Sequence, residues 1–310
     1  MDTSYNQNLA RDPPFHETYK TLISNSMDEE SRLKITLKND LVIVEECELL
    51  PLIDLSPLFL DDIDELQKEG CKEEIARAAH EWGFFQVVNH GISRDILENM
   101  REEQVKVFKQ PFETKLLNFS AGSYRWGTPN SATSIRQLSW SEAFHIPSSA
   151  LSPSSSSLQQ FATEVASLAQ ELAEILAEKI MGHKSSTYFQ ENCLPSTCYL
   201  RLNRYPPCPI ASQIFGLMPH TDSDFLTILH QDQVGGLQLE KDGKWVAVKP
   251  NPEALIINIG DLFQAWSNGY YKSVQHCVVT NPTKERFSAA YFLCPSCETV
   301  IESCSKPSIY

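Results

Sequence analysis

The sequence predicts an α+β fold in which helices come first and a compact β unit, a sandwich or barrel, comes second. Three observations carry this expectation. Apolar residues recur at helical spacing over 72–82, 95–109 and 158–181. From about residue 197 the texture changes to short β-rich runs at 198–203, 225–230, 236–239, 245–248, 254–259, 274–279 and 288–293. Close spacing of such runs argues for a sandwich or barrel rather than a parallel α/β sheet, and no segment repeats another.

In chain order, residues 1–47 mix charge, Pro13 and Pro14 with weak periodicity, and predict a loosely packed extension carrying one helix. Residues 48–190 read as a mainly helical region. It opens with a short apolar strand around Leu52-Ile53-Asp54-Leu55, closed by Ser56-Pro57. In the first helix Ile75, Ala78, Ala79 and Trp82 share a face, and Gly83 is placed to end it. Phe84–Val88 follows as a buried strand, ended by Asn89-His90-Gly91. Residues 120–147, rich in Gly, Ser, Thr and aromatics, have no clean period and predict a long loop, either bland surface or facing a substrate. A Ser-rich linker at 148–157 leads to a helix whose stripe is Phe161, Val165, Leu168, Leu172, Ile175 and Leu176, ended near Gly182. Residues 191–310 form the β region.

Composition removes several function classes. With 26 Lys plus Arg against 40 Asp plus Glu, the 310-residue chain has a formal charge of −14. Sequence-independent nucleic-acid binding and docking on anionic lipid both need clustered basic residues, so neither partner is expected. No apolar run reaches the roughly 18 residues of a membrane span. The start MDTSYNQNLARDPPF lacks a basic segment followed by an apolar one, so a cytoplasmic location is expected, with the nucleus left open. The nine cysteines follow no framework spacing and are expected to be reduced thiols. Cys294-Pro295-Ser296-Cys297 has no second pair at zinc-finger spacing, so zinc is not expected. His90, His145 and His230 read as structural.

His220-Thr221-Asp222 sets an imidazole and a carboxylate two residues apart, which on extended backbone places both on one face. His276 follows about fifty positions later within a strand pattern. Two imidazoles and one carboxylate on a facial set leave open positions for a keto-acid and O2, the non-haem Fe(II) arrangement. The same residues also fit a surface His–Asp pair and a separate core histidine. Ten positions on, Arg286-Phe287-Ser288 puts a guanidinium and a hydroxyl on one strand face, suited to the far carboxylate of a dicarboxylic acid. A surface salt bridge is the alternative for Arg286 taken alone.

The motifs NRYPPCP at 203–209, HTDSDFLTIL at 220–229, QVGGLQL at 233–239, INIGDLFQAWSNG at 257–269, YKSVQH at 271–276 and ERFSAAYFLCP at 285–295 resemble plant 2-oxoglutarate- and Fe(II)-dependent dioxygenases. LPLIDLSPL at 50–58 and EWGFFQVVNHGI at 81–92 extend the likeness to about residues 48–300. Within that family, YRWGTPNSATSIRQLSWSEAFHIP at 124–147, with CYLRLNRYPPCP at 198–209 and GLMPHTDSDFLT at 216–227, resembles the gibberellin 2-oxidases acting on twenty-carbon gibberellins.

The resemblance implies a double-stranded β-helix, or jelly roll, with helices around it. It implies Fe(II) on His220, Asp222 and His276, and 2-oxoglutarate as co-substrate on Arg286 and Ser288, with Asn203 and Tyr205 contributing; ascorbate is the implied reductant. The implied reaction takes O2 and a diterpenoid hormone and leaves a 2β-hydroxyl, inactivating the hormone or its precursor. Gibberellins are rigid, apolar and carry carboxylates, so their pocket should be apolar with one or two cationic anchors. Tyr124, Arg125, Trp126, Arg136, Trp140 and Phe225 are the candidates, Arg125 or Arg136 being the anchor. For each of these the alternative is a core or surface role. Two features depart from the family. Cys277 stands where a basic residue usually follows the second metal histidine. The chain stops at Tyr310, where relatives continue into a helical segment over one end of the barrel, so a shortened C-terminus is expected. The competing functions are another plant dioxygenase, acting on a flavonoid or another hormone, and a non-catalytic binder.

Overall fold

The computed structural model describes residues 11–33, 46–47, 50–60, 62–117, 122–128, 132–151, 156–182, 187–211 and 213–304. Residues 1–10 and 34–45 of the N-terminal extension, 152–155 of the Ser-rich linker and 305–310 lie outside them. Helix α1 (Phe15–Leu33) precedes strands β1 (Glu46–Cys47) and β2 (Leu52–Asp54) and the short α2 (Ser56–Phe59). Then come α3 (Glu65–Trp82), β3 (Phe84–Val88), α4 (Arg94–Phe108) and α5 (Phe112–Leu117). Strands β4 (Tyr124–Trp126) and β5 (Glu142–Pro147) lead to α6 (Ser156–Met181) and α7 (Tyr188–Asn192). The β unit is β6 (Tyr199–Tyr205), β7 (Phe215–His220), β8 (Leu226–Gln231), β9 (Leu237–Lys241), β10 (Lys244–Val248) and β11 (Leu255–Ile259), then α8 (Asp261–Trp266), β12 (His276–Val279) and β13 (Arg286–Leu293).

The predicted helices form for local reasons. Asp64 accepts from the Gln67 amide at 2.8 Å and caps α3. Gly83 ends it in the left-handed region at φ 63°, where a Cβ would lie 2.3 Å from the Lys272 carbonyl oxygen, so only glycine fits. Ser93 caps α4 in the same way as Asp64 caps α3. The six stripe residues of α6 are all buried, packed against α3, α4, β8 and β13.

The strands build two sheets, one of eight strands in the order β2-β3-β11-β8-β13-β6-β5-β4 and one of five in the order β1-β10-β9-β12-β7. Their inner faces meet in a core of Phe84, Tyr205 and Ile256 from the larger sheet and Leu237, Leu239, Val248 and Val278 from the smaller. The outer face of the larger sheet carries the helices over Phe85, Leu202, Ile257 and Ala289. Every residue of β11 and β13 is therefore buried, which explains their mostly apolar sequences, with Asn258, Arg286 and Ser288 the polar exceptions. This is a jelly roll with flanking helices.

Three expectations change. The 120–147 segment is not a loop throughout: β5 pairs with β6 and β4 with β5, extending the large sheet. The N-terminal extension is not loosely packed where described. Phe15 stacks on Trp140 at 4.6 Å, and the Tyr19 hydroxyl donates to the Ser139 carbonyl at 3.1 Å. Strand β7 was not in the predicted set; Gly216 and Pro219 mask it, and pairing with β12 forms it.

Candidate active site

Strands β7 and β12 are antiparallel neighbours, and their register sets His220 directly opposite His276. Asp222 lies just past the end of β7, so its position comes from the following loop rather than from strand alternation. That loop is tied down where Asp261 donates its amide to the Asp222 carbonyl at 2.7 Å. Gly260 permits the approach: a Cβ there would lie 2.1 Å from the Asp224 carbonyl oxygen. Asp222 Oδ1 ends up 3.6 Å from His220 Nε2 and 3.7 Å from His276 Nε2. Two donors on metal bonds of about 2.1 Å can stand up to about 4.2 Å apart, so these three atoms can share one ion. Among the described residues this is the one group of three such side chains with converging donor atoms.

The surroundings orient all three groups. His220 Nδ1 faces the Met218 carbonyl at 2.8 Å and His276 Nδ1 faces the Val274 carbonyl at 3.2 Å. Each Nδ1–H donates there, which leaves each Nε2 lone pair aimed at Asp222. Burial, with the neighbouring His276, holds the His220 imidazole down at about 4, so it is neutral and able to bind metal near pH 7. Asp222 Oδ2 accepts from Thr227 Oγ1 at 2.7 Å and from Asn258 Nδ2 at 2.9 Å. Burial alone would raise the Asp222 carboxyl; His276 and these two donors outweigh it and hold it below the usual range. Asp224 is pushed well above that range by burial and by the charge of Asp222. Thr227 Oγ1 also lies 3.2 Å from Asp224 Oδ2, so one hydroxyl ties the two carboxyl groups together.

The second cluster lies on β6 and β13. Their register places Arg286 opposite Tyr205 and Ser288 opposite Asn203. The Arg286 guanidinium sits 4.9 Å over the Tyr205 ring and donates to Gln231 Oε1 at 2.8 Å and Ser288 Oγ at 3.4 Å. Gln104 of α4 braces the pair, donating to the carbonyls of Ser288 at 2.8 Å and Asn203 at 3.1 Å. Arg286 is 2% exposed, has no ion pair among the described residues, and its Nε finds no partner. An uncompensated buried guanidinium costs several kcal/mol. A guanidinium in this setting is suited to a carboxylate partner. Both clusters line one cavity of about 50 Å³.

None of the six expected substrate contacts lines that cavity. Tyr124 is buried with its hydroxyl on Glu142. Trp126 packs edge-on to Phe15 and Phe112, and Trp140 stacks on Phe15; both hold α1 against the sheet. Phe225 turns away from the metal loop into a cluster with Phe189 and Phe263. Arg125 and Arg136 are exposed. The cavity is lined instead by Arg201, Thr227, Asn258 and Phe292, which the motif reading passed over. Alternation along β6 would have found Arg201, two residues before Asn203 on the same face. Cys277 is buried, with burial pushing its thiol up to about 12, and Cys294 is likewise raised by burial.

Residues 196–295 match the 2OG-Fe(II) oxygenase superfamily, and 50–165 match the N-terminal region of the non-haem dioxygenases in morphine synthesis. The chain is 60% identical to Gibberellin 2-beta-dioxygenase 8 of Arabidopsis thaliana, over 96% of its own length and 90% of that protein's. The chain belongs to the gibberellin 2-beta-dioxygenase family of 2OG-Fe(II) oxygenases. This oxygenase is also 46% identical to Gibberellin 2-beta-dioxygenase 6 of Oryza sativa subsp. japonica, over 97% of the chain and 88% of that protein. Its fold matches the dioxygenase for auxin oxidation 1 of Arabidopsis thaliana, solved with 2-oxoglutarate, with a TM-score of 0.69 and 30% identity over 83% of this chain and 97% of that one. Among the described residues of the oxygenase, no helix is long and apolar enough to cross a membrane.

Proposed function

We propose that the protein hydroxylates gibberellins on the 2β position, with twenty-carbon gibberellins preferred, and so removes the hormone or its precursors from use. The observation that carries this is the 60% identity to a named gibberellin 2-beta-dioxygenase across nearly the whole chain. The donor set agrees: two imidazoles and one carboxylate suit Fe(II), and the unpaired Arg286 suits a keto-diacid. When bound, ferrous iron would activate O2, the oxidant, with 2-oxoglutarate giving two electrons as it is oxidised to succinate and CO2, so that one oxygen atom enters succinate and the other the gibberellin.

The chain's own part is binding and orientation. His220, Asp222 and His276 would hold the iron. Met218, Val274, Thr227 and Asn258 fix the direction of each ligand atom. Arg286 and Ser288 grip the far carboxylate, and Tyr205 and Asn203 shape the bed beneath it. Phe84, Leu217, Leu237 and Phe292 give the cavity an apolar wall, which strengthens the charge–charge contacts beside it. The described cysteines are free thiols, which suits an enzyme working in the cytoplasm, the nucleus included.

The deciding experiment incubates the protein with Fe(II), 2-oxoglutarate, ascorbate and a panel of nineteen- and twenty-carbon gibberellins, with flavonoids as controls. A 2β-hydroxylated gibberellin formed only when 2-oxoglutarate is present is the expected result. Product without the keto-acid, or turnover of flavonoids alone, overturns the proposal.

A further inference from the structure

We infer that Arg201 holds the carboxylate of the substrate, at the end of the metal cavity away from Arg286; this rests on the gibberellin reading above. Arg201, Asn203 and Tyr205 alternate along β6 and all point into the cavity that holds His220, Asp222 and His276. On β13 the register sets Tyr205 against Arg286, but Arg201 against Ala290. Four residues at about 3.3 Å each put the two arginine positions about 13 Å apart along the sheet. The cavity thus has two cations carried on backbone positions about 13 Å apart.

The pairing pattern along β6 separates Arg201 from its neighbour. Arg204, on the opposite face, is saturated by carboxylates of Asp12, Glu142 and Glu285 at 2.6–2.9 Å. Arg201 has no ion pair among the described residues, and its Nε is buried without a hydrogen-bond partner. Its charge is felt nearby, since burial and then Arg201 and Arg125 hold the His145 imidazole down at about 3. A guanidinium kept in place without a counter-ion is a receptor for one, and a planar fork matches a carboxylate. Beside it stands an apolar aromatic wall: Phe292 lines the cavity and stacks on Tyr199 at 4.5 Å. A cation next to such a wall fits a rigid apolar acid, which is the chemistry of a gibberellin.

The test compares wild type with Arg201→Gln and Arg201→Lys, using a gibberellin acid and its full methyl ester. KM is measured for gibberellin and for 2-oxoglutarate, and gibberellin binding is measured by equilibrium dialysis without oxygen. Arg201→Gln should raise gibberellin KM and Kd about 10–100-fold, leave the 2-oxoglutarate KM within about twofold and abolish the preference for acid over ester; Arg201→Lys should recover part of it. An unchanged acid-to-ester ratio, or a loss that falls on 2-oxoglutarate instead, overturns the assignment. Circular dichroism shows whether Arg201→Gln is folded; if it is not, the acid-to-ester ratio of Arg201→Lys decides. Wild type that turns over no gibberellin sinks the functional proposal and this one with it. Wild-type turnover with an unaltered variant sinks only Arg201.

Discussion

Arg204 Nη1 donates to Glu142 Oε1 at 2.6 Å, joining β6 to β5 on the face opposite Asn203 and Tyr205. Lys115 pairs with the other carboxylate oxygen of Glu142, and the Tyr124 hydroxyl donates to it as well. Glu285, the residue before Arg286, takes the Arg204 Nε–H at 2.9 Å. Lys115 and Glu142 are fully buried, so removing one partner leaves an uncompensated charge. Glu142→Ala should cost about 3–5 kcal/mol of stability, read as a lower midpoint in urea unfolding. It should also raise the 2-oxoglutarate KM, because the register of β6 against β13 sets the Arg286 clamp. An unfolding free energy within about 1 kcal/mol of wild type contradicts the role.

The metal site should depend on groups that never touch the ion. Thr227 and Asn258 hold Asp222 Oδ2 and so leave Oδ1 toward the two imidazoles. Asn258→Ala or Thr227→Val should weaken Fe(II) or Mn(II) binding about 10–100-fold, measured by metal titration under nitrogen. Wild-type affinity in both variants would show that the carboxylate needs no such support.

Arg286→Gln removes the cation whose Nε lacks a partner. The 2-oxoglutarate KM should rise about 10–100-fold, from the loss of a charge-assisted, forked contact. Gibberellin binding in the absence of oxygen should change little. Parallel loss of both would place the two acids on one cation.

Stability should fall as pH drops below about 6.5. Burial holds His145 at about 3 and His230 at about 4, against about 6.5 in an unfolded chain. Between those values the unfolded chain binds more protons, so the stability present above pH 6.5 is lost as pH falls toward 4. Each histidine contributes up to about 1.4 kcal/mol per pH unit. Urea midpoints at pH 7.5, 6 and 5 should show the decline, and His230→Gln should make it shallower. An equal slope in that variant would exclude His230.

The features legible in the sequence were those set by short-range rules. Gly83 ending α3, the α6 stripe and the inward pair Arg286 and Ser288 follow from one residue's conformation or from a simple period. The contacts of Trp140 and Phe225 were not legible, because an aromatic ring reads alike whether it lines a pocket or locks a helix. Phe15, some 125 positions away in sequence, decides the placement of Trp140. Strand β7 was hidden for a similar reason: its partner β12 lies far along the chain, and its own residues are half-buried with no alternation. Arg201 needed both the strand period and the knowledge that nothing else pairs with it.

Two imidazoles of the metal set stand on the five-stranded sheet, whereas Arg286 and Ser288 stand on the eight-stranded one. A keto-acid reaching from metal to arginine is therefore a strut between the two leaves of the sandwich. The core of Phe84, Tyr205, Leu237 and Val278 fixes the spacing of the leaves, so a diacid one methylene shorter or longer would fit the two ends less well.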